Sequence, residues 1–440
     1  MKHLFRAAVY LALTSFACLA AQHFTIPFKQ YKLKNGMRVI LSEDHSAPTL
    51  AVAVCYDAGS RDEKPGQTGF AHFFEHLMFG ESKNNPGREL GNLIGGFGGT
   101  GAGTTTQDRT FYWNTLPANQ LDLGLFYEAD RMHSLVFSNS FLAVQRDSVR
   151  EERRLRVDNH PYGKTNETIY DTAYDSFPYK HPVIGTMTDL NAAKMEDFQA
   201  FYQQYYAPNN ATLVIVGDFR KEEALAKARK YFEAIPSRPM PPRPGFTEKP
   251  QTSERRKTVE SPFAQQPRID LVFKIPPGNS PDYYPIMAMN RILATGDSSR
   301  LWKRLGLEAD LVSGVYSDAI RCRGPGLAWI TLNPRTERDI AAIEKSAYQE
   351  ITQMQNHPVT DGELEMARTA ARRAHVTSNV SFLGRASRLA EAAVVLGDAN
   401  LVNAEPRKMA KVTKEDIMRV ARKYFTEANR TVVITLMRSN

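Results

Sequence analysis

Two periods of hydrophobic and polar positions recur along the chain and predict strands and helices in both halves. QYKL and MRVIL flank Lys34-Asn35-Gly36, which predicts a hairpin with a type I′ turn because Asn-Gly accepts positive φ. Residues 50–56 form an apolar run, and TTQDRTFYW and RIDLVFKI are two further predicted strands. Apolar residues three and four apart predict helices at 69–79, 121–132, 141–156, 195–206, 338–354, 362–375 and 384–396. The predicted fold class is therefore α+β.

The end of each half carries the same pattern. EDFQAFYQQYYAPNNATLVIV begins at position 196, and EDIMRVARKYFTEANRTVVIT begins at position 415. At this constant offset of 219, identical residues recur: Glu196, Asp197, Tyr205, Asn210 and Thr212 match Glu415, Asp416, Tyr424, Asn429 and Thr431. Apolar positions match apolar positions between them, so we predict a helix followed by a strand in both places and an internal duplication.

A proline-rich segment separates the halves. PSRPMPPRP at 236–244 cannot continue a helix or a central strand, and it behaves as a semi-rigid linker. We therefore predict an N-terminal domain at 22–235, a Pro-rich linker at 236–254 and a homologous C-terminal domain at 255–440. The length of 440 residues is too great for one ordinary core and suits two or three domains.

The first 21 residues have the pattern of an export signal. MKHLFR is a short basic region, AAVYLALTSFACLA is uncharged and apolar, and Ala20 and Ala21 offer a small-residue cleavage point. A mitochondrial presequence would scatter arginine through this stretch, and none follows Arg6. We expect an exported protein, located in the periplasm. No later apolar run reaches membrane-spanning length, so we expect no stable membrane insertion after the signal is removed.

Composition and charge exclude several classes of protein. Apolar residues make up 42% and charged residues 24%, which is typical of globular domains and not of disordered, collagenous or coiled-coil chains. The formal net charge of +8 is mild, and the densest basic cluster, at 150–156, lacks interleaved aromatics, so nucleic acid is not an expected partner. Beyond the signal only Cys55 and Cys322 remain, in different halves, which disfavours a disulfide framework.

The strongest chemical signal is His72-Phe73-Phe74-Glu75-His76. Two histidines four residues apart lie on one face of a helix and can bind the same metal ion. Glu75 is angularly near both and can reach a water on that metal, in an order, H-x-x-E-H, that reverses the common zincin motif. The alternative is a core helix with hydrogen-bonded histidines, but burying two histidines and a glutamate on one stripe is costly without a metal.

A catalytic zinc site needs a third protein ligand, for which Glu151 and Glu152 are the candidates. At 100° per residue, Glu152 shares a narrow helical stripe with Phe141 and Gln145, whereas Glu151 lies about 100° away toward solvent. Glu152 is therefore predicted to point inward. The alternative is that Glu152 pairs with a neighbouring arginine at the surface.

These motifs resemble those of the inverzincin peptidases of the pitrilysin/insulinase type, especially the short single-half form seen in mitochondrial processing peptidase and its bacterial relatives. GFAHFFEHLMF is similar to the family's zinc helix, and SVREERR lies at the family's usual distance beyond it, with 76 residues from His76 to Glu152. EADRM, DRTFYW, the PYG at 161–163 and YAPNNATLVIVGD are similar to further family landmarks. The resemblance covers essentially the whole mature chain and implies two homologous α/β sandwich domains.

By this resemblance, His72, His76 and Glu152 are the ligands of one Zn²⁺ per chain, and Glu75 is the catalytic base. The C-terminal domain lacks the metal motif. The implied activity is that of a secreted zinc-dependent endopeptidase, in which Glu75 assists the attack of zinc-activated water on peptides or unfolded segments. The alternative is a non-peptidolytic binding or scaffold subunit that has kept the zinc site, although a scaffold needs no general base.

Four further residues are candidates for supporting the ligands or touching substrate: Gln145, Ala102, Thr105 and Asp108. Gln145 stands where many relatives have a glutamate, and Ala102 stands where they often have an asparagine on the strand beside substrate. Ala102 lies in GGFGGTGAGTTT, which contains G-x-G-x-x-G, but a strand follows it instead of a helix, and this disfavours nucleotide binding. A Gly-rich approach to an edge strand suits β-augmentation by extended peptides.

The second half departs from active family assemblies, which carry an Arg and a Tyr, seven residues apart, that face the zinc from another domain. The corresponding positions here are Gly306 and Ser313, and the nearby Arg304 and Tyr316 are 12 apart. The resemblance therefore implies a hetero-oligomer with a paralogous non-zinc subunit that supplies the Arg and the Tyr. The alternative assembly is a homodimer of this chain.

Overall fold

The first half is built on a six-stranded mixed sheet in a computed structural model, which describes residues 24–86, 90–243, 245 and 248–438. Its strands are β1 (Lys29–Lys32), β2 (Arg38–Glu43), β3 (Thr49–Tyr56), β4 (Thr100–Thr105), β5 (Thr110–Pro117) and β6 (Ala211–Gly217). They lie in the order β1-β2-β6-β3-β5-β4. Only β2 and β6 are parallel neighbours in this sheet; the other neighbouring pairs are antiparallel. The predicted signal at 1–21 lies outside the described residues.

The described part of the first half has nine helices. They are α1 (Phe70–Leu77), α2 (Leu90–Gly96), α3 (Leu121–Ser134), α4 (Asn139–Arg153), α5 (Gly163–Ala173), α6 (Phe177–Lys180), α7 (Met187–Ala192), α8 (Met195–Tyr205) and α9 (Lys221–Phe232). A π-helical segment, Arg154–Asp158, continues α4. No helix in the described part of the chain has the length and apolar character needed to cross a bilayer.

The second half repeats the architecture of the first. Its five strands are β7 (Arg255–Ser261), β8 (Arg268–Ile275), β9 (Val312–Ile320), β10 (Gly326–Pro334) and β11 (Arg430–Met437), in the order β7-β11-β8-β10-β9. Its helices are α10 (Tyr283–Ala294), α11 (Ile340–Asn356), α12 (Asp361–Ser378), α13 (Phe382–Val394), α14 (Leu401–Ala410) and α15 (Lys414–Tyr424). Here β7 and β11 are the parallel pair, as β2 and β6 are in the first sheet. The strands β7, β11, β8, β10 and β9 therefore take the places of β2, β6, β3, β5 and β4, and only β1 has no counterpart among the described strands. An internal duplication predicts this correspondence.

Both faces of the first sheet are covered, which explains the apolar run at 50–56. Along β3, Leu50, Val52 and Val54 enter one core with α1, α3 and α8, and the intervening Ala51 and Ala53 enter another with α13. A strand buried on both faces loses the usual alternation with polar residues.

The two halves exchange one helix each. Helix α5 of the first half packs on β7 and β11 of the second sheet, and α13 of the second half packs on β3 and β6 of the first sheet. The first residues of these helices, Gly163 and Phe382, are separated by the repeat offset of 219. Each helix thus crosses the boundary predicted between 22–235 and 255–440, and those domain limits stay a prediction. The fold class, with two mixed sheets and helices packed on them, is confirmed.

Two local predictions were wrong. TTQDRTFYW does not form one strand, because its polar centre is the turn of a hairpin in which β4 pairs antiparallel with β5. The turn before β2 is not type I′, because only Gly36 has positive φ there. Asn35 is held instead by its side chain, whose Nδ2 donates to the carbonyls of Phe232 and Ile235 at 2.7 and 3.0 Å.

The turn between β4 and β5 is anchored by Asp108, which is buried. Its Oδ1 accepts hydrogen bonds from Arg61 at 2.7 Å and from the Tyr179 hydroxyl at 2.8 Å. Its Oδ2 accepts the backbone N–H of Arg323, at 2.7 Å, from the second half. The Asp108 carboxylate therefore ties the hairpin that borders α1 to both halves of the molecule.

Asp57 extends this buried charge network. It accepts from Arg61 at 2.5 Å, pairs with Arg323 at 2.8 Å and lies 3.4 Å from Arg243, in the predicted linker. Arg243 also pairs with Asp62 at 3.1 Å. With Asp108, three aspartates face three arginines, so the network is neutral, which is the condition for burying ions at tolerable cost.

Asp108→Ala is expected to lower the free energy of unfolding by about 3–5 kcal/mol, because it leaves the fully buried Arg61 short of a counter-ion. Urea denaturation measures this change. Glu365→Ala is the matched control, since Glu365 forms a surface pair with Arg372 in which both side chains are about half exposed, and its denaturation midpoint should stay close to that of the parent. Equal losses in the two variants would show that the Asp108 network does not hold the fold.

Candidate metal centre

Helix α1 presents His72 and His76 on the same face, and its start is fixed by a buried glutamate. Gly69, the residue before the helix, has φ of 88°, which glycine tolerates and most residues do not. The N–H groups of Gly69 and Ala71 donate to Glu63 at 2.9 and 2.7 Å. No local sequence signal indicates this cap, because Glu63 lies six residues before Gly69, whereas the usual capping side chain is on the N-cap residue itself.

Helix α4 brings Glu152 to these histidines. Its Oε2 lies 3.6 Å from His72 Nε2 and 3.3 Å from His76 Nε2. One ligand atom from each of the three residues lies within 4.8 Å of the others. Glu151 is instead 56% exposed and pairs with Arg154 at 2.9 Å. The helical phase that turns Glu152 inward therefore also turns Glu151 to solvent.

The donor set of His72, His76 and Glu152 fits a zinc ion with an open coordination position, which takes three nitrogen or oxygen ligands in catalytic sites. Ligand atoms about 2.1 Å from a tetrahedral ion lie about 3.4 Å apart, and the measured separations of Glu152 from the two histidines are close to that value. In the described residues, no other group of three or more His, Cys, Asp or Glu side chains is arranged so that it could hold a metal ion.

Burial and charge prepare these donors for a cation. Burial, followed by repulsion from His76, lowers the pKa of His72 to about 4, so the ring is neutral at neutral pH. Burial opposes ionisation of Glu152, but the hydrogen bond with His76 and the nearby positive charges hold its pKa below the usual value. Arg156 binds the other carboxylate oxygen of Glu152 at 2.7 Å. From the sequence, an arginine pair and an inward position are alternatives for Glu152. In the structure the Arg156 pair and the inward position occur together.

Glu75 lies under the edge strand β4 and is nearly buried. The Thr105 hydroxyl donates to its Oε2 at 2.6 Å. A Cβ on Gly103 would lie 2.8 Å from both Cγ and Oε1 of Glu75, so β4 can pass this close only with glycine there. Burial raises the pKa of the Glu75 carboxyl, although the Thr105 hydrogen bond opposes that rise.

A cavity of about 510 Å³ opens over these groups. Its lining includes the three donors, Glu75, residues 101–105 of β4, and Phe79, Phe141, Gln145 and Arg156. A second cavity of about 340 Å³ shares His72, Thr105, Glu152 and Arg156 with it. The two cavities therefore form a cleft that runs past the metal donors, with an unpaired strand edge along one side.

The other candidate residues are distributed differently. Gln145, Ala102 and Thr105 line the cleft, whereas Asp108 does not and is engaged in the buried network instead. Gly306 lies against the ring of Trp302, and a Cβ there would approach that ring to 2.5 Å. A larger residue at position 306 would therefore require the Trp302 ring to move.

Two sequence models of protein families match the chain. One, described as Insulinase (Peptidase family M16), matches residues 38–187, which include all three donors and Glu75. The other, described as Peptidase M16 inactive domain, matches residues 192–371. Together they cover most of the chain.

Similar proteins have the same overall fold. Zinc protease PqqE of Helicobacter pylori is 27% identical over 436 residues, which is 98% of this chain and 98% of that protein. The crystal structure of a protease from Helicobacter pylori has a TM-score of 0.88 at 26% identity and covers 94% of this chain and all of that one. The periplasmic protease PqqL from Escherichia coli has a TM-score of 0.78 at 18% identity, covering 93% of this chain but 47% of its own. That last likeness shows the fold alone.

Glu152→Gln is expected to weaken zinc binding by a factor on the order of 10² or more, because it replaces an anionic ligand with a neutral amide. Glu151→Gln is the matched control and should bind zinc like the parent, since that side chain is exposed. Competition with a chromophoric chelator measures both affinities. Equal losses, or a loss only in the Glu151 variant, would exclude Glu152 as a ligand.

Proposed function

Because the chain belongs to the insulinase family of peptidases, family M16, we propose that it is a zinc-dependent endopeptidase that hydrolyses peptides or unfolded polypeptide segments. The observation that carries this proposal is the convergence of His72, His76 and Glu152 on one point, with Glu75 beside it. In this proposal His72, His76 and Glu152 hold one zinc ion. When bound, that ion would polarise the scissile carbonyl and acidify water.

Glu75 is the proposed general base. It takes a proton from the attacking water and later delivers it to the leaving amine. The Thr105 hydroxyl, at 2.6 Å, holds one oxygen of the Glu75 carboxylate and leaves the other for this proton transfer. Because Glu75 is only 8% exposed, competing bulk water has little access to the carboxylate.

The edge strand β4 is the proposed binding site for the peptide backbone. An extended substrate adds to a free sheet edge by main-chain hydrogen bonds, which do not depend on its sequence. Ala102 and Thr104 lie on β4 along the larger cavity, and Arg156 lies where the two cavities meet. This arrangement suits unfolded segments rather than folded surfaces, because only an extended chain can pair with a strand.

We also propose that the protein is exported to the periplasm and acts there. The basic and apolar pattern of residues 1–21 supports export. The related PqqL is described as a periplasmic protease. Cys55 and Cys322 are both buried and free, so the described part of the chain has no disulfide that would depend on an oxidising compartment.

The proposed enzyme works as one half of a two-chain assembly. A developing oxyanion needs hydrogen-bond donors placed where its charge appears. Gly306 supplies none, and the Ser313 hydroxyl is bound to Gln266 at 2.8 Å. Arg304 is held by Glu350 and Gln349 at 2.8 and 2.7 Å. PqqL, of which this chain matches 47%, offers a precedent for a longer chain built on this fold.

Glu75→Gln should keep zinc bound but reduce peptide hydrolysis by a factor on the order of 10² to 10⁴, because the amide cannot accept a proton from water. Cleavage of a fluorogenic peptide, together with metal content, measures both properties. Glu151→Gln is the control of equal charge change, and it should remain active. Hydrolysis near the parent rate in the Glu75 variant would contradict its assignment as the base.

Mixing the chain with a paralogue that carries the spaced Arg and Tyr should raise kcat/KM by a factor on the order of 10², the usual effect of an oxyanion donor. Titration of the paralogue into a fixed amount of this chain, with light scattering on the mixture, measures activity and stoichiometry. Full activity of the isolated chain, unchanged by the paralogue, would contradict the shared site. Arg304 and Tyr316 would then be the residues to mutate.

A further inference from the structure

The duplication gives the second half a cleft of its own. Helix α10 packs against the edge strand β9 and against α12, as α1 packs against the edge strand β4 and against α4. A cavity of about 160 Å³ lies between α10, β9 and α12. It adjoins a cavity of about 260 Å³, with which it shares Tyr283, Met287 and Met409. The second half therefore keeps the framework of the metal cleft, and its side chains decide what enters.

A positive charge without a counter-ion replaces the metal donors in this cleft. Arg291 of α10 lines the cavity and is half-buried, and no acidic side chain in the described part of the chain pairs with it. Its Nε is buried and makes no hydrogen bond. Burial, followed by the charge of Arg373 on α12, lowers the pKa of Arg291. The half-buried Arg291, with the exposed Arg373 near it, favours the binding of an anion.

The preceding residue supplies an acceptor that also lacks a partner. Asn290 lines the same cavity and is 3% exposed. Its Nδ2 donates to the Asp318 carbonyl at 2.7 Å, which fixes the orientation of the amide. Its Oδ1 is left without a hydrogen-bond donor among the described residues. A buried acceptor of this kind is costly unless a ligand supplies an N–H or O–H group.

The remaining lining restricts the kind of anion. Asp318 contributes to the cavity and disfavours a multiply charged phosphate more strongly than a singly charged carboxylate. Met287, Ala371, Ala374 and Met409 line both cavities and form an apolar surface between them, which suits an apolar side chain. Beyond this surface the larger cavity is charged, with Arg321, Arg388, Glu391 and Glu405 in its lining.

We propose that this cleft, which we call the α10–β9–α12 cleft, binds the terminal α-carboxylate of an amino acid or a peptide that has an apolar last residue. The carboxylate pairs with Arg291, and Arg373 adds long-range attraction. The neighbouring N–H of the ligand donates to Asn290 Oδ1, and its side chain lies against Met287 and Met409. This site does not depend on the proposed peptidase activity, because no metal donor takes part in it.

The test is isothermal titration of the full zinc-loaded chain with N-acetyl-leucine, leucine, N-acetyl-leucinamide and inorganic phosphate. N-acetyl-leucine or leucine should bind, and the stronger of the two shows whether a peptide end or a free amino acid is preferred. The amide, which lacks the carboxylate, should bind at least about tenfold more weakly, as expected for loss of one charge-assisted hydrogen bond. Phosphate that binds as tightly as N-acetyl-leucine would overturn the proposal.

Two variants of Arg291 test whether the ligand binds in this cleft. Arg291→Gln should weaken N-acetyl-leucine binding by about tenfold or more, and Arg291→Lys should restore part of it, since lysine keeps the charge but loses the planar fork. Arg335→Gln is the control, because Arg335 pairs with Asp310 at 2.8 Å, outside this cleft. Unchanged binding in Arg291→Gln, or no binding of either leucine compound to the parent, would overturn the proposal.

Two further readouts separate this site from the metal centre. Since Arg291 has no partner to lose, Arg291→Gln should unfold at the same urea concentration as the parent, and it should keep its zinc content and peptide hydrolysis. A parent that hydrolyses no peptide, alone or with the paralogue, but still binds N-acetyl-leucine through Arg291 would refute the proposed function and leave this site standing. An active parent that does not bind N-acetyl-leucine would overturn the α10–β9–α12 cleft as a binding site and leave the proposed function standing.

Discussion

The two-half architecture depends on one buried ion network. In it Arg61 of the first half binds Asp57 and Asp108, and both aspartates also bind Arg323 of the second half. Burying charges is costly unless each one is paired, and the docked halves place the Arg323 guanidinium on Asp57 and the Arg323 backbone N–H on Asp108. The exchanged helices α5 and α13 bury apolar area, which stabilises docking but is not directional. The network supplies the direction.

The same network determines the geometry of the metal cleft. Asp108 fixes the turn between β4 and β5, and β4 then passes over α1 so closely that only glycine fits at position 103. Thr105, near the end of that strand, reaches Glu75 at 2.6 Å. Glu63 fixes the other side by capping the start of α1. The chemistry of Glu75 is thus held by contacts that also hold the halves together, which is how a rigid fold positions reactive groups to within a fraction of an ångström.

The duplication separates framework from chemistry. Both halves build a cleft from a helix, an edge strand and a second helix. In the first half that cleft holds two histidines and a glutamate. In the second half it holds Arg291 and Asn290. A fold therefore predicts where a cleft lies, and only its side chains indicate what the cleft binds.

The sequence by itself determined the features that follow from local periodicity. It indicated α1, α3, α4, α8, α11, α12, α13 and α15, but not α5 or α10, and it indicated the duplication at an offset of 219. It also indicated the inward stripe on which Glu152 lies, because side-chain direction along a helix depends only on residue spacing. Tertiary structure alone decided the β4–β5 hairpin, the exchange of α5 and α13, the Glu63 cap and the unpaired Arg291. The exchange of α5 and α13, the anchoring of the β4–β5 turn by Arg61 and Arg323, and the lack of a counter-ion for Arg291 depend on groups distant in sequence. No local pattern specifies which distant groups meet when a chain of this length closes on itself. The Glu63 cap spans only six residues, but its side chain lies outside the usual capping position.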